Sequence, residues 1–188
     1  PVVRRIAIDK SYTERSVLVE IEERESYGIW CRRSQINADE AQMNADDIGA
    51  NRRADQRETV LGCWWFDDEG FLFRGAVGAS GSLITAVNDY SQENLGLRSE
   101  ILPEKFIANA ISVFQALKKS KLAVKEIRLS DLSLEEIEAL TYNGPKIYFS
   151  LRFPAQNVVP ALASLMSKPG FKDLGYLDLR VENRVYYK

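Results

Sequence analysis

Apolar and polar residues alternate with a period of two along residues 177–188. Leu177, Leu179, Val181, Val185 and Tyr187 share one face, and Asp178, Arg180, Glu182, Arg184 and Lys188 share the other, the pattern of a half-buried strand. The chain is therefore predicted to close on a strand. Asn183 interrupts the apolar face, which leaves open a bend there, with residues 184–187 as a second strand. A terminal strand is tied down by joining a sheet, and at a sheet edge its outer N–H and C=O groups have no partner.

The same alternation occurs at residues 2–8 and 17–21, separated by polar residues 9–16, and predicts a β-hairpin. Its second strand is expected to run on through residues 22–26 to Cys31. Two strands alone are marginal in water, so the pair needs a cover. Residues 32–61 lack sustained periodicity and are rich in Asn, Asp, Ala, Gln and Arg, which predicts a mobile insertion or linker. Its acids are interspersed with Arg32, Arg33, Arg52, Arg53 and Arg57, and this reads as a solvated loop rather than a phosphate-binding one.

Residues 64–73 place aromatic strands either side of Asp67-Asp68-Glu69-Gly70 and predict a hairpin with a solvated acidic turn. The acids lack the spacing of an EF-hand loop. Gly75, Gly78 and Gly81 read as a flexible loop without the lysine of a phosphate loop, and a short strand is expected at 83–87. Helical spacing of Phe106, Ile107, Ala110, Val113, Phe114 and Leu117, with Pro103 in the first turn, predicts a helix over 103–119. A strand follows at 124–129. Residues 132–140 fit either a helix or a strand, and the Asn143-Gly144 turn before the β-rich run 146–153 favours the strand. A second helix is predicted over 158–166, with Asn157 as N-cap and residues 168–170 as its stop. Hairpins and meanders with two helices on one face make an α+β layer rather than a βαβ fold.

Composition narrows the chemistry. The chain of 188 residues is 45% hydrophobic and 28% charged, enough for one or two small domains. Its net charge of −2 provides no general attraction for nucleic acid. Histidine is absent, which removes Ser-His-Asp and Cys-His catalysis. With Cys31 and Cys63 as the sole thiols, a four-ligand zinc site of the usual thiolate-imidazole kind cannot be assembled within the chain. No metal site, cofactor site or catalytic residue is predicted. Cys31 and Cys63 bracket the insertion and are either two free thiols or a disulfide closing its base, the latter in an oxidising compartment. No apolar run is long enough to span a membrane. The chain enters a strand-like run at once, so an upstream segment is expected.

Three passages resemble one known family. Val19-Glu20-Ile21-Glu22-Glu23-Arg24 followed by Gly28-Ile29-Trp30 is similar to the last strand of a POTRA domain and its exit. Trp65-Phe66-Asp67-Asp68-Glu69-Gly70-Phe71-Leu72-Phe73 is similar to the first hairpin of the β domain that follows it, and residues 177–185 to the closing strand. In this order they resemble the extracytoplasmic part of the FtsQ/DivIB family of bacterial cell-division proteins. The resemblance implies a truncated POTRA-like segment at 1–31, the insertion at 32–61 and an FtsQ-type, mainly antiparallel β domain at 62–188. The strand and two helices that precede the hairpin in a POTRA domain are absent from this chain. The resemblance further implies a single-pass protein of the cell membrane, anchored through a segment absent from this chain. It would be a non-enzymatic divisome scaffold that binds FtsB-like and FtsL-like partners by strand addition and no nucleic acid. The matching partner-binding positions are Arg180, Val181, Arg184, Val185 and Tyr186. The alternatives are a POTRA-type chaperone or translocation component, and a carboxylate-dependent hydrolase, which would require Glu22, Asp67 and Asp178 to line one cleft.

Overall fold

The computed structural model describes residues 2–34, 59–81 and 83–188. The predicted hairpin forms from β1 (Val3–Ser11) and β2 (Ser16–Glu23), with Ile6 opposite Ile21 and Ile8 opposite Val19. It makes a two-stranded sheet of its own. The second strand does not continue to Cys31. β3 (Gly28–Ser34) instead enters a nine-stranded sheet, so the last residues of the 1–31 segment belong to that sheet. Gly28 permits the transfer. A Cβ there would lie 2.5 Å from the Thr85 carbonyl oxygen and 2.8 Å from the Phe66 ring, so the close approach of neighbouring backbone requires glycine.

The remaining strands are β4 (Thr59–Phe66), β5 (Leu72–Gly75), β6 (Thr85–Asp89), β7 (Val124–Leu129), β8 (Glu136–Thr141), β9 (Lys146–Ser150), β10 (Tyr176–Leu179) and β11 (Tyr186–Tyr187). Their spatial order is β11-β10-β9-β8-β7-β6-β3-β4-β5. Among the described residues two helices, α1 (Glu104–Ser120) and α2 (Val158–Met166), complete an α+β fold with mostly antiparallel pairing. Each helix is nevertheless a crossover between parallel neighbours: α1 joins β6 to β7, and α2 joins β9 to β10. The α+β layer expected from the sequence is thus present, with two βαβ crossovers inside it that the sequence did not reveal. Face alternation along a strand is the same for either pairing direction, so it carries no information on this point.

One hydrophobic core fills the space between the helices and one sheet face. Trp30, Val87, Ile127, Ile137, Ile147, Phe149 and Leu177 meet Phe106, Ala110, Val113, Phe114 and Leu117 of α1 and Leu162 and Leu165 of α2. The Asn109 side chain of α1 donates to the Leu151 carbonyl at 2.8 Å, and the Ala155 N–H donates to Ser112 Oγ at 2.8 Å. A smaller cluster, Ile29, Cys31 and Cys63 with Trp65, Ala76 and Ala79, lies apart from this core.

Several local expectations change. Residues 32–34 and 59–60, assigned to the insertion, are paired strand, with Leu61 at the register shift between them and the rest of β4, and Arg33 Nε donates to Asn88 Oδ1 at 2.8 Å instead of facing solvent in a loop. The rest of the insertion, with Arg52, Arg53 and Arg57, lies outside the described residues. Residues 132–134 form a 3-10 turn, capped by the Asp131 side chain on the Ser133 N–H, and the strand starts only at Glu136. Asn157 precedes α2 but makes no side-chain cap, because its backbone is already helical.

Candidate functional site

The site is built from the last strands of the sheet. After α2, the left-handed backbone at Gly170 (φ 88°) turns the chain into a 3-10 turn at Phe171–Asp173. β10 then pairs in parallel with β9, with Leu177 and Leu179 buried. The stretch from residue 176 onward is not one strand. Asn183 adopts φ 58°, a conformation Asn tolerates better than most residues, and the Arg184 N–H donates to the Val181 carbonyl at 3.1 Å. The chain reverses there, and β11 returns antiparallel along β10 with Tyr186 opposite Asp178.

β11 ends the order of strands, so among the described residues its outer side has no strand neighbour. Lys188 and Tyr176 exchange both backbone hydrogen bonds, each at 3.4 Å. In an antiparallel ladder the adjacent residue then points its N–H and C=O the other way, so those of Tyr187 face outward. The opposite edge is better covered, since the Leu72 N–H donates to Ser99 and its carbonyl accepts from Arg98, both at 2.8 Å.

Beside the β10–β11 turn lies a groove of about 220 Å³. Phe153, Pro154, Val158 and Ala161 line it from the α2 side, and Leu179, Val181, Arg184 and Val185 line it from the turn. The structure therefore brings three of the predicted residues, Val181, Arg184 and Val185, to one groove. Val181 is 44% exposed, and Val185 is half-buried against the main core. Arg184 Nη1 donates to the Tyr186 hydroxyl at 3.3 Å, and both side chains are exposed.

Arg180 has partners within the sheet. Its guanidinium pairs with Asp178 at 2.6 Å and with Glu136 of β8 at 2.6 Å, and stands 4.9 Å from the centroid of Tyr148. Hydrogen bonds from Arg180 hold the Asp178 carboxyl below its ordinary range, and those to Asp178 and Glu136 raise the Arg180 pKa. Arg180, a candidate partner-binding position, therefore already serves two acids of this sheet while its side chain stays 41% exposed. Phe153, Pro154, Val158 and Ala161 were missed. For Val158 and Ala161 the signal was the apolar α2 sequence, Val-Val-Pro-Ala-Leu-Ala-Ser-Leu-Met, of which Leu162 and Leu165 alone are buried.

The acidic turn at 67–69 is not merely solvated. Asp67 is buried, accepts from the Glu69 and Phe71 N–H groups at 3.0 and 2.9 Å, and pairs with Arg24, while Arg4 of β1 meets Glu69 at 2.6 Å. These pairs attach the β1–β2 hairpin to the β4–β5 turn. Asp89, which the sequence did not single out, is fully buried and accepts from Trp30 Nε1 at 2.9 Å and from Ser91. Burial alone would raise the Glu126 pKa, but hydrogen bonds from Arg128, Asn88 and Tyr90 outweigh it and the net direction is down.

Asp67 and Asp178 do not converge on one cleft, because β4 and β10 lie near opposite edges of the sheet. Among the described residues no group of three or more Cys, Asp and Glu could hold a metal ion. No helix among them is long and apolar enough to cross a membrane. Cys31 and Cys63 are cross-strand partners joined by a disulfide. Comparison with protein-family models, with curated proteins and with solved structures gives no match.

Proposed function

We propose that this chain is the extracytoplasmic part of a non-enzymatic cell-envelope scaffold of the FtsQ/DivIB type. In this reading it recruits FtsB-like and FtsL-like division proteins by strand addition at β11 and so helps regulate septal peptidoglycan synthesis. The anchor is a single membrane span in a segment outside this chain. The observation that carries the proposal is the outer side of β11, which no strand among the described residues pairs with, next to the α2 groove. An added strand gains affinity from main-chain hydrogen bonds and specificity from side-chain pockets. Here Tyr187 offers the main-chain groups, the groove takes an apolar side chain, and exposed Arg184 attracts an acid at the rim. Arg180 contributes by holding β10 in register rather than by contact.

The test is calorimetric binding of FtsB-like and FtsL-like peptides to the chain and to Tyr187→Pro. Proline removes an N–H that faces away from β10, so the fold is retained while the added strand loses a hydrogen bond. Loss of binding with unchanged melting supports the edge; undiminished binding by the variant, or by a chain ending at Val185, refutes it.

A further inference from the structure

A second groove, of about 420 Å³, lies between the C-terminal end of α1 and the segment that precedes β6. Its floor is apolar and comes from Phe114, Leu117, Leu122, Val124 and Ile127, while Lys118 and Lys121 stand at its mouth. Among the described residues no carboxylate lines it. Leu83 and Ile84 form the facing rim, and Leu83 is fully exposed. A lone exposed leucine is ordinary on a protein surface. This one borders an apolar groove and belongs to a stretch without a charged residue between Arg74 and Asp89.

The opposite side of the groove is strongly basic. Lys118 and Lys121 line it, Lys119 is their neighbour at the end of α1, and among the described residues none of the three forms an ion pair. Lys118 and Lys119 offset the α1 dipole, which explains their position but leaves their ammonium groups in solvent. The Gly81 N–H donates to the Lys125 carbonyl at 3.3 Å, which ties the aliphatic rim to the basic segment.

We propose that this face docks on an anionic phospholipid surface, with Leu83 and Ile84 entering the acyl boundary and the lysines meeting lipid phosphates. A soluble anion would use the lysines and leave the aliphatic rim in water. An uncharged apolar ligand would use the groove and leave the cations unmatched. An anionic bilayer satisfies both, because interfacial binding adds buried apolar area to attraction between basic side chains and anionic headgroups. The inference is independent of strand addition at β11.

The experiment is co-sedimentation of the chain with vesicles of phosphatidylcholine alone and of phosphatidylcholine with phosphatidylglycerol, at low and high salt. Binding is expected only to the anionic vesicles and is expected to weaken as salt rises. Lys118→Gln and Lys121→Gln should each lower partitioning about fivefold, and Leu83→Ser about tenfold or more. Lys168→Gln, at an exposed position outside the groove, and Tyr187→Pro should leave it unchanged. Leu83 is fully exposed, so its substitution does not threaten the fold. Absence of binding to anionic vesicles, or binding that Leu83→Ser does not weaken, overturns the proposal. Competition by inorganic phosphate at millimolar levels with no dependence on Leu83 would assign the lysines to a soluble anion and overturn it as well.

Discussion

Arg180 reaches across β9 to Glu136 of β8, with Nη1 and Oε2 2.6 Å apart, and so ties the C-terminal hairpin to a strand two positions inward. Glu136 is 8% exposed. Removing the guanidinium leaves this buried carboxylate without its cation, at a cost of about 1–3 kcal/mol. Arg180→Ala is therefore expected to lower the melting temperature. Arg184→Ala, at an exposed position with one contact to Tyr186, should alter stability by no more than about 0.5 kcal/mol. If partner binding takes place at β11, Arg184→Ala weakens it with melting unchanged, whereas Arg180→Ala weakens both together. A binding loss at Arg180 with unaltered melting would return that residue to direct contact.

Asp67 is buried and paired with Arg24, whose side chain is 14% exposed and whose guanidinium carbon lies 4.2 Å from the centre of the Phe71 ring. Breaking such a pair from one side strands a charge, typically at about 3–5 kcal/mol. Arg24→Ala should thus destabilise the domain and release the β1–β2 hairpin, read as faster amide exchange across residues 3–23. Equal protection in variant and wild type would show that the hairpin is held by something else.

What was legible in the sequence was whatever a local period encodes. α1 announced itself through Phe106, Ala110, Val113, Phe114 and Leu117, and β10 through Leu177 and Leu179. The sites depend on distant partners. Asp67 reads as a solvated turn residue because nothing near it shows that Arg24, 43 positions earlier, will cover it. Arg180 reads as a solvent-facing charge because Glu136 is 44 positions away. β11 was legible in part, since the break at Asn183 marks the reversal, but the direction of the return depends on backbone geometry that the alternation does not record.

Gly28→Ala tests the transfer between the two sheets. The new Cβ would stand 2.5 Å from the Thr85 carbonyl oxygen, which belongs to backbone and cannot rotate aside. β3 and β6 would have to separate at the start of their parallel pairing, and overpacking of this kind costs about 1–3 kcal/mol. The expected result is a lower urea midpoint. Gly75→Ala, where a Cβ meets nothing within 4 Å, is the control and should show no such loss.

Cys31 and Cys63 close a loop with a sequence separation of 32. On the chain-entropy account this stabilises the fold by roughly 3–4 kcal/mol. Both cysteines are buried in the small cluster with Ile29, so the native protein is expected to resist mild reductant. The double variant Cys31→Ala/Cys63→Ala should melt well below wild type. Rapid reduction of the native protein, with no change in melting, would contradict a structural role for the bridge.

Acid should act both at the β10–β11 edge, through Asp178, and in the middle of the sheet, through Glu126 of β7. Arg180 holds the Asp178 carboxyl below its ordinary value, and the bonds from Arg128, Asn88 and Tyr90 overcome burial to do the same for Glu126. A carboxyl whose pKa is lower folded than unfolded adds stability above its unfolded value, about 3.9 for Asp and 4.3 for Glu. That contribution is lost as pH falls through the folded value. Melting temperature should therefore vary little between about pH 7 and 5 and drop below about pH 4. Asp178→Asn removes one such group, so its melting curve should lie lower at neutral pH and fall less steeply on acidification. A variant with the same acid slope as wild type would show that Asp178 is not among the carboxyls whose protonation opens the C-terminal hairpin.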